Sequence, residues 1–358
     1  MHTKNRKNFI IFLSLAILML FLCLPVNGIR PMANLHADSP LEIGEATYFV
    51  ITPGKKLVAW GVNDHNLISD SDIRWFPIIA RRCVLDEDVS SVDLGTWYAL
   101  AVTEEHELYG WGWNAWGQLN WESRGGIMAP TLLMDHVAEA AAGSFHCVAR
   151  KEDGSLWTWG ENGYGQLGIG TVDGDIHEPT LIMEHIKKIF SYGDTVFAIH
   201  EDGSLYCWGI TKENGLCISW PNYVTDSVEA VACTTFGNYL LLTSGGQLLL
   251  YDGSTLMDTG VSGVKSILNY GFIKEDHTLW RIEASDGSIT IHPVRGFVAR
   301  AQGAFADRFI VAGLDGSVDI CEYGGKGYLA ITYMRLALCG VLIAAAIRLY
   351  RGRKALLS

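Results

Sequence analysis

The sequence predicts an all-β chain: a seven-bladed β-propeller of antiparallel sheets over 43–323, flanked by N-terminal and C-terminal hydrophobic helices. Three observations predict it. A hairpin-like unit recurs seven times, and a repeat of this length decides the architecture before any motif is read. The second run of each good unit is apolar on both faces, which a sheet sandwiched between two others satisfies. Each end of the chain carries an apolar run beside a cluster of bases.

At the N-terminus, Lys4, Arg6 and Lys7 precede an apolar run from Phe9 to Leu24 broken only by Ser14, so 1–28 reads as a secretory signal or an uncleaved membrane anchor. Val26-Asn27-Gly28 and Leu35-His36-Ala37 are the candidate cleavage sites. Residues 29–42 read as a linker.

The repeat follows. Asp-Gly-Ser stands at 153–155, 202–204, 252–254, 286–288 and 315–317. Aligning on the apolar residue of the run that follows gives Leu57, Leu108, Leu156, Leu205, Leu248, Leu279 and Val318. Three positions on stand Trp60, Trp111, Trp159, Trp208, Tyr251, Ile282 and Cys321. Upstream, Gly44, Gly95 and Gly143 each precede their tryptophan by 16 residues, and Gly193 precedes Trp208 by 15. Within a unit, FHCVA at 145–149 meets the turn signal EDG and then SLWTWG, which predicts a β-hairpin. Strand side chains alternate, so Leu156 and Thr158 face one way while Trp157 and Trp159 face the other. Leu57, Trp60, Leu108, Trp111, Leu156, Trp159, Leu205 and Trp208 are therefore the predicted structural core of the repeat. In units five and six, tight hairpins, LLLYDGSTLM and LWRIEASDGSITI, replace the long connection.

DGSLWTWGENGYGQLG, preceded by AAAGSFHCVA, resembles the repeat of the regulator of chromosome condensation family over about 43–323, most specifically in units two and three. The resemblance implies a seven-bladed propeller and a role in binding proteins. With the N-terminal run it suggests a bacterial-type exported member. It implies no activity by itself, because function sits in sites grafted on a fold. In this family a histidine often stands three residues after the glycine, where His146 stands here; Tyr98 and Val196 occupy the equivalent places, so His146 reads as structural.

After the repeats, GGKG at 324–327 reads as a flexible joint and 328–350 as a transmembrane helix, with Arg335 placed to snorkel. A basic cytoplasmic tail, 351–358, holds Arg351, Arg353 and Lys354. Bases flank the cytoplasmic side of a span, so both ends are expected inside and the propeller on the extracytoplasmic side of the cell membrane.

Charge narrows the partner. All 39 acidic residues fall in 31–327, where 18 of the 27 lysines and arginines remain, a net charge of −21. Such a surface repels phosphate backbones, and no nucleic-acid partner is expected. Of eight cysteines, Cys23 and Cys339 lie in the apolar ends; Cys147, Cys207 and Cys321 sit in strand slots and read as small buried hydrophobes, with Cys207 and Cys217 the pair to compare for a disulfide. No CxxC, HExxH, GxSxG or P-loop pattern occurs, so neither catalytic residue, metal ligand nor cofactor is assigned. Asp-Gly-Ser is turn chemistry.

Tryptophans outside the repeated slot carry the site expectation. Trp113, Trp116 and Trp121 lie in WGWNAWGQLNW, while Trp75 and Trp220 sit among polar or turn residues. Trp113, Trp116 and Tyr164 follow strand ends and are the partner-binding candidates, because aromatic loop residues anchor protein partners. The expectation is a membrane-tethered extracytoplasmic module that binds a protein or peptide. The alternatives are a guanine-nucleotide-exchange-like regulator, which export and the acidic surface disfavour, and a carbohydrate-active enzyme using carboxylates on a propeller face.

Overall fold

The computed structural model describes residues 41–43, 47–52, 54–62, 64–68, 77–83, 85–119, 125–210, 217–234, 238–285, 288–296, 298–305, 308–313 and 318–322. Both predicted terminal helices, Gly44, Trp75 and Trp121 lie outside these residues, as do the side chains of Trp60 and Cys321. Among the described residues the chain is all β apart from a single turn of 3-10 helix, Asp64–Asn66, and none of its helices is long and apolar enough to cross a membrane.

Strands assemble strictly in sequence order into antiparallel sheets, six of four strands and one of three among the described residues. In chain order sheets 1 to 7 span 41–83, 89–134, 137–183, 186–225, 228–261, 264–295 and 298–322. The alignment residue of every unit opens the third strand of its sheet: Leu57–Val62, Leu108–Trp113, Leu156–Gly160, Leu205–Ile210, Leu248–Tyr251, Leu279–Ser285 and Val318–Glu322. The hairpin read from FHCVA and SLWTWG forms with Cys147 opposite Trp159 and Arg150 opposite Leu156. In sheet 5 the tight turn pairs Tyr251 with Leu256, and in sheet 6 Ser285 with Ser288.

Alternation along the third strand explains how the sheets stack. Leu156 packs with Ile186, Ile189 and Trp208 of sheet 4, whereas Trp159 packs with Leu100, Leu108 and Leu119 of sheet 2. The same division holds along the chain. Leu108, Leu205, Leu248 and Leu279 face the following sheet, and Trp111, Trp208, Tyr251 and Ile282 face the preceding one. Among the described residues six successive apolar cores result, one between each pair of consecutive sheets. A repeat unit of this kind buries its faces only against its neighbours.

A second periodic feature ties the sheets together and escapes the motif alignment. Val89, Val137, Ile186, Val228, Val264 and Val298 open the first strands of sheets 2 to 7, all buried. The backbone N–H of each donates to the turn between strands two and three of the preceding sheet, at the carbonyls of Lys55, His106, Gly154, Gly203, Gly246 and His277. Its signal in the sequence is a lone β-branched residue 19 positions before Leu108, Leu156 and Leu205, too sparse to read without the sheets.

Cys147, Cys207 and Cys233 are free thiols. Cys207 lies opposite Asn222, and Cys217 opposite Ile210, so the pair singled out from the sequence sits three positions apart in register.

Candidate functional site

Strand order places two kinds of loop at the same end of each sheet: the turn between strands one and two, and the loop after strand three. In sheets 2 and 3 that loop has a repeated construction. In Asn114-Ala-Trp116-Gly-Gln118-Leu119, the Asn114 amide oxygen accepts the Leu119 N–H at 2.9 Å and the Gln118 Oε1 accepts the Trp116 N–H at 3.1 Å. In Asn162-Gly-Tyr164-Gly-Gln166-Leu167 the corresponding bonds are 3.2 and 2.8 Å. All four amide side chains are fully buried, and a buried amide without partners would cost stability. Gly117 and Gly165, at φ 73° and 74°, hold the bend in the left-handed region that glycine tolerates. Trp116 and Tyr164 are thus equivalent residues of successive loops.

The next sheet secures each loop. The Trp111 indole donates to the Leu67 carbonyl at 3.0 Å, Trp159 to Gln118 at 2.7 Å and Trp208 to Gln166 at 2.9 Å. The tryptophan slot therefore has a polar role besides its apolar one: each of these indoles pins the loop of the preceding sheet.

On this support the structure brings Trp113 and Trp116 together, their rings 5.8 Å apart and edge-on. It adds residues that the sequence reading passed over. Phe145, in the first turn of sheet 3, stacks on Trp116 at 4.2 Å; Trp97, in the first turn of sheet 2, lies 4.8 Å from Trp113 and 6.3 Å from Phe145; His65, after the third strand of sheet 1, stacks on Trp97 at 4.8 Å. Tyr164 is 42% exposed in the neighbouring loop and Trp220 is 63% exposed on the fourth strand of sheet 4, against Gly170 of that loop. The signal for Phe145 and Trp97 lay in the glycine anchors: both stand two residues after one, at Gly143 and Gly95.

Trp97 is 38% exposed, and its backbone has φ 66°; His65, stacked on it, has φ 52°. A bulky residue in the left-handed region is strained, and strain of this kind concentrates at functional sites. The Trp97 carbonyl accepts the Trp113 N–H at 2.8 Å, so the strained turn holds the strand end that carries Trp113.

An acidic edge adjoins the aromatic patch at Ser144-Phe145. The Phe145 carbonyl accepts the Glu161 N–H at 3.0 Å, and the Ser144 N–H donates to the carbonyl of Gly193, next to Asp194, at 2.9 Å. Burial and the nearby charges of Asp194 and Asp175 push the Glu161 carboxyl up to about 7, and burial raises Asp194 as well. Among the described residues no ion pair involves Glu161, Asp175 or Asp194, and Asp194 Oδ1 is shielded with no hydrogen-bond partner. Beneath the turns, Asp93 of sheet 2 accepts the Ala142 N–H of sheet 3 at 2.8 Å, and burial brings its carboxyl up to about 6.

His146 belongs to the scaffold. It is fully buried, its Nε2 lies 3.4 Å from Ser191 Oγ, and burial holds its ring well below the usual histidine range, at about 3, so it is neutral. The Asp-Gly-Ser turns are local: Asp153, Asp202 and Asp252 each accept the N–H of the following serine at 2.9 Å. Those serine donors, backbone and hydroxyl, hold Asp153 and Asp202 below the usual carboxylate range. Among the described residues no group of three His, Cys, Asp or Glu is arranged to hold a metal ion.

Comparison with known proteins agrees with this architecture. Residues 105–150 and 153–198 match the regulator of chromosome condensation (RCC1) repeat, and 137–166 match a second description of the same repeat. Prp20p from Saccharomyces cerevisiae is 16% identical over 73% of each chain, with a TM-score of 0.54. The CRINKLY WD40 ectodomain of the Arabidopsis thaliana receptor kinase ACR4 is 13% identical over 81% of this chain and 96% of its own, with a TM-score of 0.51. Human WBSCR16 is 22% identical with a TM-score of 0.49, and the match covers 58% of this chain and 60% of the human one. At such identities the likeness is one of fold, and that fold is the β-propeller.

Proposed function

We propose that this chain, which carries regulator of chromosome condensation (RCC1) repeats in sheets 2 to 4, is a protein-binding β-propeller whose partner docks on the loop end holding Trp97, Trp113, Trp116 and Phe145. The observation that carries the reading is Trp97: a large, exposed ring kept in a strained backbone conformation, at the rim of four packed aromatics. The bond and ring contact that Trp97 makes with Trp113 offset part of that strain, and a partner that covers the exposed part of the ring offsets more, since buried aromatic anchors dominate protein interfaces. Prp20p binds Gsp1p and histones, so protein partners have a precedent on this fold.

In this reading the seven sheets close into a seven-bladed ring, with sheet 7 against sheet 1. The apolar runs at 9–24 and 328–347 tether it to the cell membrane with the propeller outside, as the flanking bases favour. The test of docking is capture by the full chain from native membranes, in parallel with the Trp97→Gly and Trp116→Ala variants. A partner retained by the parent and lost with both variants supports the face; one retained equally by all three removes it. For the tether, a thiol reagent unable to cross membranes should label a cysteine placed at Ser254 and spare one placed at Ser358. The reverse pattern would invert the topology.

A further inference from the structure

The aromatic face and the carboxylates beside it form one surface, because Ser144-Phe145 belongs to both: Phe145 stacks on Trp116 while its carbonyl holds the Glu161 backbone, and Ser144 holds the turn that carries Asp194. Backbone bonds run along the same edge, from Thr96 N–H to the Ser144 carbonyl at 3.2 Å and from Ser144 N–H to the Gly193 carbonyl at 2.9 Å. The exposed ring of Trp97 and the carboxylates of Glu161, Asp175 and Asp194 thus share a continuous frame of three consecutive first turns.

The charges on this edge are uncompensated. At the other end of the sheets some acids have a base or a histidine beside them: Lys55 with Glu104 at 2.9 Å, Lys56 with Asp88 at 3.0 Å, His200 with Asp202 at 3.0 Å. Glu161, Asp175 and Asp194 have no cation among the described residues. Burial raises the proton affinity of Glu161 and Asp194, and for Glu161 the charges of Asp194 and Asp175 add to it.

Resting on the docking reading above, we infer that the partner presents an arginine-bearing segment, its guanidinium groups lying on the face of Trp97 and pairing with the carboxylates of Glu161 and Asp194. Arginine fits both halves of the surface. Its plane stacks on an indole and its fork of N–H donors matches carboxylates, whereas lysine offers a point charge. The net charge of −21 over 31–327 draws such a segment in from a distance.

The test uses the purified full chain and fluorescein-labelled peptides of sequence (Gly-Arg-Gly-Ser)3, with a second peptide in which citrulline replaces arginine, read by anisotropy. Citrulline keeps shape and most hydrogen bonds and removes the charge. The expected result is at least tenfold tighter binding of the arginine peptide. Glu161→Gln and Asp194→Asn should each weaken it threefold or more and leave the citrulline peptide unchanged. Glu201→Gln and Asp202→Asn, in the turn between strands two and three of sheet 4 and so at the other end of the sheets, should change it by less than 1.5-fold. Equal binding of the two peptides overturns the inference. So does an effect of Glu201→Gln as large as that of Glu161→Gln, which would mean attraction by bulk charge alone. If both peptides bind equally and both lose affinity in Trp97→Gly, the docking face stands and only its preference for arginine fails. If the captured partner ignores Trp97→Gly and Trp116→Ala, the docking reading itself fails.

Discussion

The indole N–H of Trp159 donates to the backbone carbonyl of Gln118, 2.7 Å away in the preceding sheet, and the same bond joins Trp208 to Gln166 and Trp111 to Leu67. One residue type therefore fills an apolar core and pins a loop. Trp159→Ala should cost about 3–5 kcal/mol, as truncation of a large buried aromatic does. Trp159→Phe retains most of the burial and leaves the bond unmade, so it should cost about 1–3 kcal/mol. Urea unfolding of the three proteins checks both; a phenylalanine variant as stable as the parent would reduce the indole to packing alone.

The glycine anchors have a steric cause. A Cβ on Gly143 would lie 2.0 Å from Cε1 of His146, and one on Gly95 equally close to the Tyr98 ring. At Gly193, where Val196 takes the ring position, the nearest atom to such a Cβ is 3.8 Å away. Gly143→Ala should accordingly destabilise by about 1–3 kcal/mol through overpacking. In a His146→Val background the same change should cost at least ~1 kcal/mol less, because neighbours in contact do not add. Equal costs in the two backgrounds would show that something other than the ring excludes a side chain there.

These pairs show what was legible in the sequence. Two apolar residues three positions apart, leucine and tryptophan in the first four units, marked the third strand of every sheet, because a strand buried on both faces must be apolar at both parities. The tight turns of sheets 5 and 6 were legible from local turn chemistry. Trp116 was identifiable as a loop residue by its place after the strand, whereas Trp113, expected after the strand end, is the strand's last residue. Trp97 and Phe145 were not identifiable, because each sits in another turn and reaches the patch only when consecutive sheets stack. Glu161 and Asp194 look like any of the 39 acids until the fold places them at one edge.

Protonation near that edge should make stability depend on pH with an identifiable sign. The native Glu161 carboxyl titrates at about 7 against 4.5 when unexposed to these neighbours. Between those values the folded chain holds a proton that the unfolded chain has released, so stability falls as pH rises through the window. Asp93, brought up to about 6, acts in the same direction, and His146, lowered to about 3, opposes both below pH 6.5. The parent alone would mix these with Asp194 and Glu139, which burial raises too. The difference between parent and Glu161→Gln isolates one: the parent should gain stability relative to the variant on going from pH 8 to pH 5. A difference that stays flat over this range would remove the assignment to Glu161.

Backbone strain at Trp97 separates what folding needs from what a partner needs. A φ of 66° costs a tryptophan of order 1–3 kcal/mol, and glycine adopts it freely. Trp97→Gly therefore relieves strain while losing contacts of a ring that is 38% exposed, and adds about 0.5–1 kcal/mol of unfolded-state entropy against the fold. These contributions nearly cancel, so its stability should lie within ~1 kcal/mol of the parent. Trp97→Val loses the same ring and keeps the strain, since a β-branched residue resists this conformation. It should be about 1–3 kcal/mol less stable than the glycine variant. Partner binding should fall alike in both, because both lack the indole. If valine and glycine prove equally stable, the turn relaxes without cost and Trp97 is not strained. If both bind as the parent does, its exposed ring is not the anchor, and the docking face has to be sought among Trp116, Tyr164 and Trp220 instead.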